Sequence, residues 1–294
     1  MPVTDQMTEE FEQNRSHLNA VAYRMLGSFP ESENAVQEAW FRLERSDSES
    51  IDNLRAWLTT VVGRICLDML RSRASRPEEP ISGALPDAIV DLSGETDPEK
   101  EVMLADSVGM ALMIVLETLQ PPERLAFVLH DIFGVQFDQI ATILEKSPAA
   151  ARQVASRARR RVEAVDVAPD TDLAGQRQVI EAFLQASREG DFEALLNILD
   201  PDVLLRLDRG KVPAGASKMV EGAQAVVDMG FRMSGGGFLP QPALVNGTAG
   251  IVIARGEKAM SAISFSIRNG RITAINILAD PGRLRAVEIP RDIV

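Results

Sequence analysis

One cysteine, two histidines and one tyrosine are all that the 294 residues contain of those types. The lone Cys66 excludes an internal disulfide and a cysteine-based zinc site, and it suits a reducing compartment. His17 and His130 lie far apart, with no Asp/Ser or Cys constellation beside either, so a structural role is expected for each. Aromatic residues make up only 5% of the chain. Trp40 and Trp57 both sit near apolar stripes and are read as core rather than as stacking platforms. Long hydrophobic runs are missing too, and the most apolar one, Val108 to Leu116, is far too short to span a bilayer. The opening MPVTDQMTEE is acidic, with no basic n-region or apolar h-region, so no signal peptide is expected. These absences point to a cytoplasmic chain without a membrane partner.

What is present is the composition of a globular protein, 45% hydrophobic and 25% charged, with length for two or three cores. The formal net charge is -12, and before Leu173 there are 30 acidic residues against 17 basic ones. A basic surface there must be a local cluster. The free protein is therefore expected to bind duplex DNA weakly and to need a partner to hold it there.

Such a cluster lies in FDQIATILEKSPAAARQVASRARRRV, Phe137 to Val162. Ile140, Ala141 and Leu144 share one face of a short helix. Ala151, Val154, Ala155, Ala158 and Val162 make the core-facing stripe of a second. Ser147 and Pro148 supply an N-cap and a first-turn proline. Arg152, Gln153, Ser156, Arg157, Arg159, Arg160 and Arg161 point outward. A capped helix offering Gln and Arg from a helix-turn-helix can enter a major groove. A helical hairpin with a solvated basic face is the plain alternative.

The stretch from about Thr8 to Ala74 reads as all helix. Phe11, Leu18, Val21, Ala22 and Met25 mark a first stripe ending at Gly27. Val36, Ala39, Trp40 and Leu43 mark a second, from about Ser32 to Arg45. Asn53 can cap a third, with Leu54, Leu58, Val61, Val62, Ile65 and Met69 as its stripe. Arg64, Arg71, Arg73 and Arg76 crowd its later turns and the residues just beyond them, where cations also suit the helix dipole.

ENAVQEAWFRLER (Glu33 to Arg45) followed by NLRAWLTTVVGRICLDMLRSR (Asn53 to Arg73) resembles region 2 of the extracytoplasmic-function (ECF) RNA polymerase sigma factors. The helix-turn-helix, preceded by PPERLAFVLHDIFGVQ, resembles region 4 of the same family. The resemblance implies that Gln37, Glu38, Trp40, Phe41 and Arg42 dock on core RNA polymerase. It implies that the third helix and the Ser46 to Asn53 loop hold the minus-ten promoter strand, with Arg55, Arg64, Arg71 and Arg73 as contacts. In region 4, Ala150, Arg152, Gln153, Ser156 and Arg157 would face the minus-thirty-five groove, with Arg159, Arg160 and Arg161 along phosphates. Glu145 stands where the family usually places glycine. A left-handed turn there would cost about 1 kcal/mol, and a rearranged turn would avoid that cost.

Between the regions, RPEEPISGALPDAIVDLSGETDPEK is rich in proline and acids, which makes a stable helix or strand unexpected. In sigma factors this connection threads the polymerase cleft; a solvated linker is equally compatible with the composition. Val102 to Leu119 reads as an apolar helix that Pro121-Pro122 ends.

The last third mixes helices (Leu173 to Glu189, Phe192 to Leu199, Lys218 to Met229) with strands. The strands are near Val203–Leu207, Ala243–Val245, Gly250–Ala254, Ala259–Ile267 and Arg271–Leu278. Asn269-Gly270 is a hairpin turn. Helices on a curved antiparallel sheet form an α+β cone, and ALVNGTAGIVIA with ITAINILADPGRL resembles the SnoaL-like domain attached to one group of these sigma factors. Three of that group's motifs are altered here, to Ala84-Leu85-Pro86-Asp87-Ala88, Asp208-Arg209-Gly210-Lys211 and Asp280-Pro281-Gly282-Arg283-Leu284. SnoaL-like cyclases and isomerases use an Asp/His pair, but this third has no histidine. Asp202, Asp208 and Asp228 each have a simpler turn, cap or surface reading.

The expectation is a multidomain protein with two all-α sigma domains followed by an α+β SnoaL-like cone. Region 2 would span 1–75, a flexible acidic linker 76–100, region 4 101–165, a second linker 166–172 and a regulatory cone 173–294. Its partners would be core RNA polymerase and promoter DNA, with an intramolecular contact between cone and sigma domains. No catalytic residue, metal or cofactor is expected, and a small ligand could sit in the cone. The alternatives are an isomerase or cyclase fused to DNA-binding helices, and a helix-turn-helix repressor with a ligand-sensing domain.

Overall fold

The computed structural model describes residues 5–46, 51–75, 84–92, 109–164, 173–210, 217–233, 239–287 and 289. The chain divides into two compact units. One gathers residues 1–78, 98–106 and 112–167, the other 79–97, 107–111 and 168–294.

The first unit is helical. Helix α1 (Asp5–Leu26) stops at Gly27, whose φ of 70° a glycine adopts without strain. Helix α2 (Phe29–Glu44) starts three residues earlier than its stripe suggests, with Pro30 in its first turn. Helix α3 (Leu54–Ala74) is capped as expected, the Asn53 side chain accepting from Ala56 N at 3.0 Å. Leu18, Val21, Ala22 and Met25 of α1, Val36, Ala39 and Leu43 of α2, and Leu58, Val62 and Ile65 of α3 are all buried.

A second face of α3 is covered as well, which a single stripe did not foresee. Gly63, Cys66 and Leu67 are buried there. Helix α4 (Met110–Thr118) leads to α5 (Pro121–Phe127), which runs on through a π-helical turn, Val128–Ile132. Helices α6 (Phe137–Leu144) and α7 (Pro148–Ala164) follow, and α5 and α6 pack on α3. A Cβ on Gly63 would stand 3.2 Å from Leu129 and 3.5 Å from Ile143 and Leu125, so glycine there permits close approach. Arg124 of α5 is 3% exposed and donates from Nε and Nη2 to the Arg24 carbonyl, at 3.2 and 3.1 Å. Burial lowers its pKa to about 10, and burial lifts the Cys66 thiol to about 12. Both groups are thus part of the packing. The helix start expected at Val102 falls outside the described residues.

The second unit is an α+β cone. Helices α8 (Leu173–Glu189) and α9 (Phe192–Ile198) are followed by β2 (Leu199–Asp208), β3 (Lys218–Glu221) and α10 (Ala223–Met233). Strands β4 (Leu239–Val245), β5 (Thr248–Arg255), β6 (Lys258–Arg268) and β7 (Arg271–Leu278) form a meander, and a 3-10 turn spans Arg283–Ala286. With β1 (Val90–Asp91) the sheet order is β1-β4-β5-β6-β7-β2-β3. The Asn246-Gly247 and Asn269-Gly270 turns have positive φ at both residues, as two-residue hairpins require. Leu205, Leu207, Ile251, Phe265 and Ile275 pack with Ile180, Leu195 and Val226 in an apolar core.

Three expectations are corrected. The sheet is mixed, because β2 runs parallel to β7. Residues Lys218–Glu221 form a strand rather than the start of a helix, since Gly222 at φ 93° breaks the run. The linker contains a strand, with Val90 opposite Val245 and Asp91 opposite Leu244, and residues 85–91 are buried. Its remaining residues, and the 166–172 linker, lie largely outside the described residues.

Candidate nucleic-acid interface

The helix-turn-helix keeps its left-handed turn. Glu145 adopts φ 55° and ψ 45°, and Lys146 N reaches back to the Ala141 carbonyl at 3.0 Å. The Ser147 hydroxyl accepts from Ala150 N at 3.2 Å, starting α7. Ala151, Val154, Ala155 and Ala158 are buried, which turns Arg152, Gln153, Ser156, Arg157 and Arg160 to the exposed side; Ala150 and Arg159 are half-buried.

The basic residues of α7 differ in what they touch. Arg157 lies 3.6 Å and Arg161 2.8 Å from the Glu123 carboxylate, Arg159 pairs with Asp131, and Arg160 Nε donates to the Ser156 carbonyl at 3.4 Å. Arg152 instead sits over the Phe137 ring, 5.5 Å from its centroid. The α3 candidates are engaged too. Arg55 Nη2 lies 3.2 Å from His17 Nδ1, Arg64 pairs with Glu145 at 2.8 Å, and Arg71 stands 3.7 Å from Asp68. Arg73 donates to the Leu26 carbonyl at 3.2 Å and pairs with Glu31. Sequence reasoning missed these acids. Glu123 alone carried a signal, as the N3 residue of a capping box begun by Gln120.

On α2, Gln37 is exposed, Glu38 and Arg42 pair at 3.2 Å, and Trp40 meets Phe11 edge-on at 4.8 Å. Phe41 remains 39% exposed, a large apolar side chain left open on that helix. Trp57 is half-buried. Both histidines sit in packing contacts, His17 edge-on to Phe133 and His130 against Phe137. Arg76, Lys211 and residues 47–50 of the Ser46–Asn53 loop lie outside the described residues.

In the cone, the three altered motifs meet. Asp208 accepts from Leu85 N at 2.9 Å, and Arg283 spans Asp87, Asp208 (2.7 Å) and the Leu85 carbonyl (2.5 Å). Burial pulls the Arg283 pKa down, but the Asp87 and Asp208 carboxylates outweigh it and raise the value overall. Asp208 Oδ1 also accepts from Gly210 N at 2.8 Å and from the Ser217 hydroxyl at 3.3 Å. Gly210, at φ 77°, runs so close to Asp280 that a Cβ would sit 2.2 Å from its carboxylate. Ile89 and Asn246 exchange bonds of 2.7 and 2.8 Å. Asp208 is therefore a structural hub, while Asp202 and Asp228 are exposed, the latter bonded to Gln224 at 3.1 Å.

The two helical modules, the second a helix-turn-helix, correspond to two regions of the sigma-70 class. Residues 11–76 match Sigma-70 region 2 and residues 110–162 match Sigma-70, region 4. The chain is 40% identical to the ECF RNA polymerase sigma factor SigJ of Mycobacterium tuberculosis, over 93% of this chain and 92% of that one. It is 35% identical to the probable ECF RNA polymerase sigma factor SigI of that species, over 95% of each. The crystal structure of Mycobacterium tuberculosis SigJ superposes with a TM-score of 0.75 at 36% identity, covering 94% of this chain and 97% of that one. The chain belongs to the ECF RNA polymerase sigma factors. Members of this family bind core RNA polymerase and promoter DNA to direct transcription initiation, and they act by binding rather than by catalysis.

Proposed function

We propose that the α+β domain of this sigma factor controls initiation by holding the linker between regions 2 and 4. The observation that carries this reading is the Arg283 guanidinium bound at once to Asp87 and the Leu85 carbonyl of the linker and to Asp208 of the sheet. A linker that threads the polymerase cleft cannot also pair as a sheet strand, so engagement with polymerase requires that residues 85–91 leave the cone. Charge-assisted bonds are among the stronger polar contacts in proteins, so this release has a threshold.

In the released state, Gln37, Glu38, Trp40, Phe41 and Arg42 dock on core polymerase. Arg55, Arg64, Arg71 and Arg73 track the minus-ten strand. Ala150, Arg152, Gln153, Ser156 and Arg157 face the minus-thirty-five groove, with Arg159 and Arg160 on phosphates. Arg64, Arg71, Arg73, Arg157 and Arg159 now pair with the protein's own acids, and each of these would exchange a carboxylate for DNA.

Run-off transcription with limiting core polymerase tests the restraint. Asp87→Ala removes the linker's carboxylate and leaves Arg283 paired with Asp208. Loss of one charge-assisted bond should raise transcript output by about ten-fold. Output that is unchanged or lowered, from a variant with wild-type thermal stability, overturns the restraint. No promoter-specific transcript from either protein, across a promoter library, would overturn the initiation role itself.

A further inference from the structure

The arginines of α7 are not equivalent. Arg159 donates to Asp131 and Arg161 to Glu123, and Arg157 lies in ion-pair range of Glu123 at 3.6 Å. Arg152 has no carboxylate within ion-pair distance among the described residues, and its guanidinium lies over the Phe137 ring. That ring is itself held. The His130 imidazole packs against it with centroids 3.9 Å apart, and His130 Nδ1 lies 3.0 Å from the Val135 carbonyl. A carbonyl only accepts, so Nδ1 carries the proton there and the imidazole is oriented by the turn before α6. A line of contacts thus runs from the π-helical turn through His130 and Phe137 to Arg152.

We infer that Phe137 is a positioning residue for Arg152, and that it sets how sharply Arg152 discriminates one base pair of the upstream promoter element. The inference rests on the reading of Arg152 as a base-edge contact. An aromatic ring engages the face of a guanidinium and leaves the in-plane N–H donors available. Two such donors are what a guanine O6/N7 edge requires. A carboxylate partner would compete for those donors, as Asp131 takes Nε of Arg159 and Glu123 takes Nη1 of Arg161. Contact with the ring also restricts the rotamers of a long exposed side chain before DNA arrives, which lowers the ordering cost of the contact.

The test uses the full chain with core polymerase, transcribing a promoter library randomised across the upstream element. Arg152→Ala flattens the preference at one base pair by about ten-fold or more. Phe137→Leu weakens that same preference by about three-fold and spares the other positions and the downstream element. Phe137→Tyr, which keeps the ring, retains the preference. Arg152→Lys guards against a folding artefact, because it keeps Phe137 and the charge but loses the planar face. Phe137→Leu added to it should deepen the loss no further. A uniform drop across positions in Phe137→Leu overturns the inference, as do a fully retained preference, a Tyr variant as weak as Leu, or additive losses in the double variant. If Arg152→Ala flattens no position at all, the base-reading role of Arg152 falls first and takes this inference with it.

Discussion

Glu145 holds a backbone conformation that costs an L-residue about 1 kcal/mol or somewhat more relative to glycine. In that place its carboxylate reaches Arg64 of α3, a pair exposed enough to contribute at most about 1 kcal/mol. The two terms nearly cancel, and this gives an ordering. Glu145→Ala keeps the strain and loses the pair, so it should unfold at a lower temperature than the native chain. Glu145→Gly loses the pair but relieves the strain, so its stability should match or exceed the native one. Thermal unfolding of the two variants checks this, and a glycine variant less stable than the alanine variant would contradict it. The same pair occupies a cation proposed for the minus-ten strand, so on that proposal strand and carboxylate would compete for Arg64.

Helix α7 depends on its first turn. The Ser147 hydroxyl takes one orphan N–H, and Pro148 needs none. Ser147→Ala should cost about 1 kcal/mol, visible as a lower midpoint in denaturant at unchanged slope. A slope that changes as well would place the effect elsewhere. These caps and stripes were legible because they are local: Asn53, Ser147 and the Asn269-Gly270 turn act within a few residues of themselves. The second buried face of α3 was not legible, since the face around Gly63, Cys66 and Leu67 is defined by helices from far along the chain. The parallel pairing of β2 with β7 escaped for the same reason, as hairpin signals say nothing about strands joined by long connections. Strand β1 owes its place to Asp208, Asn246 and Arg283 rather than to its own proline-rich composition. At the candidate interface the outward arginines were legible from periodicity, whereas the acids that hold them are set by tertiary packing.

Across the whole molecule, 43 acidic residues face 31 basic ones, and most candidate DNA contacts already have a partner within the protein. Phosphate binding gains free energy largely by releasing counterions from DNA. A cation that must first leave a carboxylate gains less, and a chain of net charge -12 is repelled by the duplex at long range. The free protein should therefore bind a promoter duplex no better than non-specific DNA, with a Kd of roughly 10 µM or weaker near physiological salt. On the proposed reading, core polymerase would supply the missing attraction by holding both promoter contacts together, which converts the second into an intramolecular event at high effective concentration. Fluorescence anisotropy with a labelled promoter, taken across a salt series with and without core enzyme, separates the two situations. Promoter-selective binding should appear only with polymerase present, and the free chain should show a steep loss with salt. Tight, salt-resistant binding by the free chain would mean that these ion pairs do not restrain the arginines at all.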